Sequence, residues 1–123
     1  MPDYLSPAWF SEADALLRSD SSLQERARGV RLVLEQRVTD GDRTIVWQVR
    51  FLDGTVSMHE GPGIEPDVVF VSDLRTALAI RSGDLGAQAA FIAGDLRVDG
   101  SVAALMEHGE LFAALDDVLS PLR

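Results

Sequence analysis

The chain has 123 residues, 46% of them hydrophobic and 25% charged, which suffices for one two-layer domain and leaves too little for two separate cores. It contains no cysteine, which excludes disulfides, thiol nucleophiles and thiolate metal sites, and its formal net charge of -9, with basic residues scattered singly, argues against nucleic acid and against electrostatic docking to an anionic membrane. No basic start leads into an apolar run and no stretch is long enough to span a bilayer, so the expectation is a cytoplasmic protein without stable membrane insertion.

Residues 7–19 read as a helix: Trp9, Phe10, Ala13, Leu16 and Leu17 recur at helical spacing behind a capping Ser6 and a Pro7 at the first position. Asp20, Ser21 and Ser22 mark a break. From residue 30 to residue 61 the period falls to two, with Val30, Leu32, Leu34, Gln36 and Val38 on one face of a first strand and Ile45, Trp47, Val49 and Phe51 on one face of a second. Asp40-Gly41 and Asp53-Gly54 separate the runs and predict two hairpins, hence three antiparallel strands. Arg31, Glu35, Arg37, Gln48 and Arg50 on the opposite side predict a solvated sheet face.

Gly61, Pro62, Gly63 and Pro66 form a loop, and residues 67–72, with four consecutive apolar positions, read as a fourth strand buried on both sides. Ser72 or Asp73 caps a helix carrying Leu74, Ala77, Leu78 and Ile80 that ends near Gly83; a second helix runs from Ala87 to Ala93 and stops at Gly94. A fifth strand over 95–100 turns Leu96 and Val98 to one side. The last helix begins at Ser101 with the stripe Val102, Leu105, Met106, Phe112, Leu115 and Leu119, and Gly109 is a thin point midway that suggests a lid. The expected fold is α+β: one domain over residues 1–123, a five-stranded, largely antiparallel sheet covered on one face by helices.

Residues able to carry chemistry have plainer roles. His59 and Glu60 are consecutive in a strand and point to opposite faces, His108 reads as a surface residue, and no third ligand stands at metal-binding spacing. Asp40, Asp42, Asp53 and Asp99 lie beside glycines at turns, where aspartate hydrogen-bonds its own backbone. Gly61-Pro62-Gly63 lacks the spacing of a phosphate loop. No catalytic residue, cofactor or metal is assigned. The covering helices are rich in alanine, from Ala77 to Ala114, and small side chains either draw helix and sheet together or leave volume for a ligand. Trp9 and Phe10 either complete the core or offer an aromatic edge to a second copy, which would make a homodimer.

The stretch from Asp67 to Met106 resembles the sterol carrier protein 2 family. The features are Pro66-Asp67 at a strand start, Ser82-Gly83-Asp84-Leu85, Ala90-Phe91 with Gly94, Leu96 to Gly100, and a helix from Ser101, in order and in register across about 40 residues. The resemblance implies a helix-covered antiparallel sheet with an apolar tunnel, in a family whose members bind sterols, fatty acyl chains or other lipids. By the same likeness Phe91 packs beneath the pocket, Gly83, Gly94 and Gly100 are turn glycines, and Val102, Leu105 and Met106 line the cavity. Ala87, Ala89 and Asp95 depart from a proline and two lysines common among relatives, which weakens contact with anionic headgroups. The expected pocket is completed by Trp47 and Val49 from the sheet and by Phe112 and Leu115 from the last helix. The function expected is non-catalytic carriage of an apolar lipid-like ligand. The alternatives are a small-substrate enzyme of a biosynthetic pathway using the same pocket, and a protein-interaction module.

Overall fold

The computed structural model describes residues 3–122. Alternation of side chains decides the sheet. Strands β1 (Arg31–Asp40), β2 (Arg43–Leu52) and β3 (Thr55–Glu60) form the expected meander, with Leu34 opposite Val49 and Val49 opposite Met58 on the inner face. Asp53 (φ 49) and Gly54 (φ 88) both take left-handed backbone at the second turn, and the Asp53 carboxylate accepts from the amide of Gly29 at 2.7 Å. Strand β4 (Val68–Asp73) lies beside β1 and parallel to it, and β5 (Arg97–Gly100) pairs antiparallel with β4. The order is β3-β2-β1-β4-β5 in an open, mixed, mostly antiparallel sheet. Val68 and Val69 are both buried, as the unbroken apolar run of β4 predicts.

Helix α1 (Pro7–Ser19) is capped by Ser6, whose Oγ accepts from the Trp9 amide at 3.2 Å. It packs along β3, and Asp14 Oδ1 accepts from the Met58 amide at 2.8 Å, giving this edge strand's backbone a partner. Trp9 and Phe10 are buried in the core of their own chain beside Trp47, so they present no aromatic edge outward. The break read at Asp20 is a helix start: Asp20 caps α2 (Ser21–Arg26), accepting from the Leu23 amide at 2.9 Å, and Leu23 enters the core. This helix has six residues, too few for its periodicity to show in sequence.

Helices α3 (Leu74–Ser82) and α4 (Ala87–Ala93) follow, with Asp73 as the cap of α3 and left-handed Gly83 and Gly94 closing the two. The last helix is two helices. α5 (Val102–Glu107) ends and α6 (Gly109–Leu119) begins at His108, whose φ of -107° and ψ of 24° leave the helical region, and a 3₁₀ turn at Ser120–Leu122 closes the described chain.

The outer face is solvated only in part, which corrects the expectation. Val33, Glu35, Gln48 and Ser57 are buried there, because the loop from Gly61 to Asp67 crosses back over that face. Gln48 Nε2 donates to Glu35 Oε1 at 3.0 Å and to the Ile64 carbonyl at 2.7 Å, while Arg37 Nε donates to Glu35 Oε2 at 2.7 Å and Arg50 Nε to Gln48 Oε1 at 3.0 Å. The charged pattern was correct and its solvation held in part: Arg31 and Arg37 are exposed, whereas Glu35 and Gln48 are buried and satisfy one another under a lid of backbone.

An apolar cavity between sheet and helices

The inner sheet face and the helices do not close completely. A cavity of about 310 Å³ remains, floored by Leu34, Gln36 and Val38 of β1, Trp47 of β2, Met58 of β3 and Phe70 and Ser72 of β4. Its roof comes from Ala77, Ile80 and Arg81 of α3 and from Phe112, Leu115 and Leu119 of α6. Tyr4, Trp9 and Leu122 bring the two ends of the described chain to the same space. Ala87, Arg37 and Asp116 are the exposed members of the lining and mark its mouth.

Residue size leaves this space. Phe112 of α6 spans from Phe51 to Phe70, at 6.3 and 6.4 Å between ring centroids, and so props the helix off the sheet. Beside it α3 offers alanine at position 77, which reaches too short a distance to fill the gap. The opposite end is stiffened by Arg81. Its guanidinium lies 4.7 Å from the Tyr4 ring centroid, and its Nη2 donates to the Leu122 carbonyl. Burial pushes the Tyr4 hydroxyl up to about 12, against the opposing pull of Arg81, so Tyr4 keeps its proton. Trp9 Nε1 is buried without a hydrogen-bond acceptor among the described residues, ringed by Tyr4, Phe10 and Trp47.

Of the residues expected to form the pocket, Trp47, Phe112 and Leu115 line this cavity together. Val49 is fully buried in the packed core, and Leu105 is half-buried against that core. Phe91, Val102 and Met106 lie outside the cavity lining at 52%, 53% and 79% exposure. The reason is helical phase: α4 turns Ala90 inward, which sends Phe91 and Ile92 out, and the break at His108 rotates α5 away from the stripe that α6 continues. Tyr4, Phe70, Ile80, Arg81 and Leu122 were not foreseen. Phe70 and Ile80 could have been found from the period of their own elements, whereas Tyr4 and Leu122 arrive by long-range packing that leaves no local pattern.

The histidines stand apart from the cavity lining. His59 is on the outer face, where its Nε2 lies 2.8 Å from Ser57 Oγ, and burial, Arg50 and Arg18 lower its pKa against an opposing effect of Asp14. Gln48 and Arg50 also project from that face, and Arg97 pairs with Asp99 at 3.0 Å on β5. Among the described residues no cluster of three or more His, Asp or Glu is placed to hold a metal ion, and no helix is long and apolar enough to cross a membrane.

Comparison with known proteins places this architecture. A crystal structure of sterol carrier protein 2 superposes with a TM-score of 0.76 at 20% identity, covering 96% of this chain and 98% of that one. A conserved hypothetical protein from Thermus thermophilus gives 0.77 at 20% identity, covering 97% and 89%. Apo sterol carrier protein 2 from Yarrowia lipolytica gives 0.67 at 18% identity, covering 97% and 92%. None of the curated proteins matches the sequence. At these identities the structures establish the fold alone; the sequence itself matches the SCP-2 sterol transfer family over residues 13–113, from the first helix through both hairpins to α6. The chain therefore belongs to the SCP-2 sterol transfer family.

Proposed function

We propose that this protein binds an apolar, lipid-like ligand in the cavity between its sheet and helices and carries it without chemical change. The observation that supports the reading is the space of about 310 Å³ walled by Leu34, Trp47, Phe70, Phe112 and Leu115, in a chain of a sterol-transfer family. Sterols, fatty acids and acyl thioesters are the ligand classes that such a family suggests. Transfer of each methylene from water to such a wall is worth about 0.8 kcal/mol, so a short run of them binds without any catalytic group, after the costs of ordering the chain.

Access to the cavity falls to α4 in this reading. Ala87, on its first turn, stands at the mouth, and left-handed Gly83 and Gly94 flank the helix, whereas Gly109 lies on the exposed surface next to a helix break. The test is native mass spectrometry of gently purified protein, followed by extraction and identification of what is released. A stoichiometric apolar mass, lost on extraction and restored by added lipid, is the expected result. A protein that carries nothing and takes up none of a sterol, a fatty acid and an acyl thioester would overturn the reading.

A further inference from the structure

The two edges of the sheet are finished differently. Strand β3 is covered by α1, and the Asp14 carboxylate takes the amide of Met58. Strand β5 ends the sheet on the other side with β4 as the one element packed along it, and among the described residues no side chain plays the part of Asp14 there. Its register with β4 is unbroken and it contains no proline, so no bulge turns this edge away. Arg97, Asp99 and Gly100 are exposed and Val98 is half-buried, which leaves the outward N–H and C=O groups of the strand open to pairing.

Charged side chains commonly guard such an edge by repelling other strands. Here the guard has one residue of each sign. Arg97 and Asp99 share the outer face on either side of Val98 and pair with each other at 3.0 Å, an exposed contact that contributes little to stability. Laid antiparallel beside its own copy about a two-fold axis at Val98, β5 sets Arg97 opposite the partner's Asp99 and Asp99 opposite the partner's Arg97. An axis at Arg97 or at Asp99 sets like charges face to face instead, and a slip of one residue joins the inner face of one sheet to the outer face of the other. The strand is thus complementary to itself in one register. Apolar surface gathers beside it: Phe91 and Ile92 of α4 and Val102 and Met106 of α5 are 52%, 76%, 53% and 79% exposed, on the two helices that adjoin β5 in the chain. The Leu96 amide, donating to the Ala90 carbonyl at 3.1 Å, ties α4 to the start of the strand.

We propose that β5 is an interface with a second copy of this chain, joining two five-stranded sheets into one of ten strands about a two-fold axis at Val98. Both helical layers then lie on the same side of the joined sheet, with the exposed apolar side chains of α4 and α5 flanking the seam. A strand of four residues makes a small contact, and the net charge of -9 on each copy opposes it at long range, so the dimer is reversible and grows with concentration. The interface is independent of what the cavity holds.

The test is sedimentation velocity of the full chain from ~10 μM to ~1 mM at ~0.15 M salt, with a thermal melt of each variant. The wild type should pass from monomer to dimer across that range. Arg97→Asp makes the edge wholly acidic and Asp99→Arg makes it wholly basic. Each alone should weaken self-association about tenfold or more, with a melt close to that of the wild type because both side chains are exposed. Mixed in equal amounts, the two variants should form a one-to-one dimer, since every acid then faces a base. The double variant Arg97→Asp with Asp99→Arg exchanges the two signs and should self-associate like the wild type, which decides the matter if a single variant does not fold. A wild type still monomeric at ~1 mM, single variants that dimerise as the wild type does, a mixture of folded single variants that stays monomeric, or a double variant that stays monomeric would overturn the interface.

Discussion

At the level of single residues, the most consequential group in the fold is Glu35, 2% exposed on the central strand. Its two oxygens take Gln48 at 3.0 Å and Arg37 at 2.7 Å, and Gln48 passes the connection to the Ile64 carbonyl, so one carboxylate holds the crossing loop to the sheet. Glu35→Ala leaves one N–H of the buried Gln48 amide without an acceptor and should cost ~2–3 kcal/mol in urea denaturation, with the loop around Ile64 exchanging its amides faster than in the wild type. Nearby His59 gives the fold a pH dependence whose sign can be worked out. Burial and the charges of Arg50 and Arg18 hold its pKa below the ordinary 6.5, so the unfolded chain binds more protons as pH falls. Stability is then lost through the window that opens near 6.5 and closes at the lowered folded value. Melting temperature should drop from about pH 7.5 to about pH 5, and His59→Gln should flatten that part of the curve. Gln48 could be read from sequence as polar and strand-borne. That it is fully buried could not, because its partner Ile64 lies in a loop 16 residues away that carries no period of its own.

Among the elements, the short ones differ most in how firmly they are held. Strand β5 has four residues, yet it is tied at Gly100: the backbone there is left-handed at φ 88°, and a Cβ would press on the carbonyl oxygen of Asp67, while the next amide, Ser101, donates to that same oxygen at 2.8 Å. Gly100→Ala combines the left-handed penalty with this contact and should cost about 2 kcal/mol or more, measured by chemical denaturation. Helix α4 is the opposite case. Gly86 caps it with no side-chain bond, glycines in left-handed backbone bracket it, and Ala90 is its one buried residue. Its amides should exchange through a local opening well before those of β1, and Ile92→Gln, at 76% exposure, should change stability by less than about 0.5 kcal/mol. The helix itself was legible, since Ala87 to Ala93 lies between Gly86 and Gly94. Which face it buries was not, because in seven residues rich in alanine there is no apolar stripe to set the phase.

On the scale of the whole molecule, fold and cavity depend on different kinds of information. Period-two runs, Asp-Gly turns and capped helical stripes are local, and they were enough for an α+β domain core with a largely antiparallel sheet, down to the strand pairs of the meander. The cavity is what remains when Phe112 holds α6 off the sheet and α3 meets the gap with Ala77, and a remainder of packing has no signature in any one segment. That difference yields a test of whether the space is real slack or a tightly supported surface. Ala77→Leu adds three carbons to the wall, on a helix with the rest of its cap and stripe unchanged. If the space is slack, the larger side chain enters it in a normal rotamer and the protein gains about 0.5–2 kcal/mol, seen as a higher melting temperature, while the bound apolar mass is displaced in native mass spectrometry. If the surroundings were instead packed to native density, the same change would cost about 1–3 kcal/mol and leave any bound mass untouched. The two outcomes have opposite signs, so a single melt of Ala77→Leu beside the wild type decides whether the alanines of this chain draw its layers together or hold room between them.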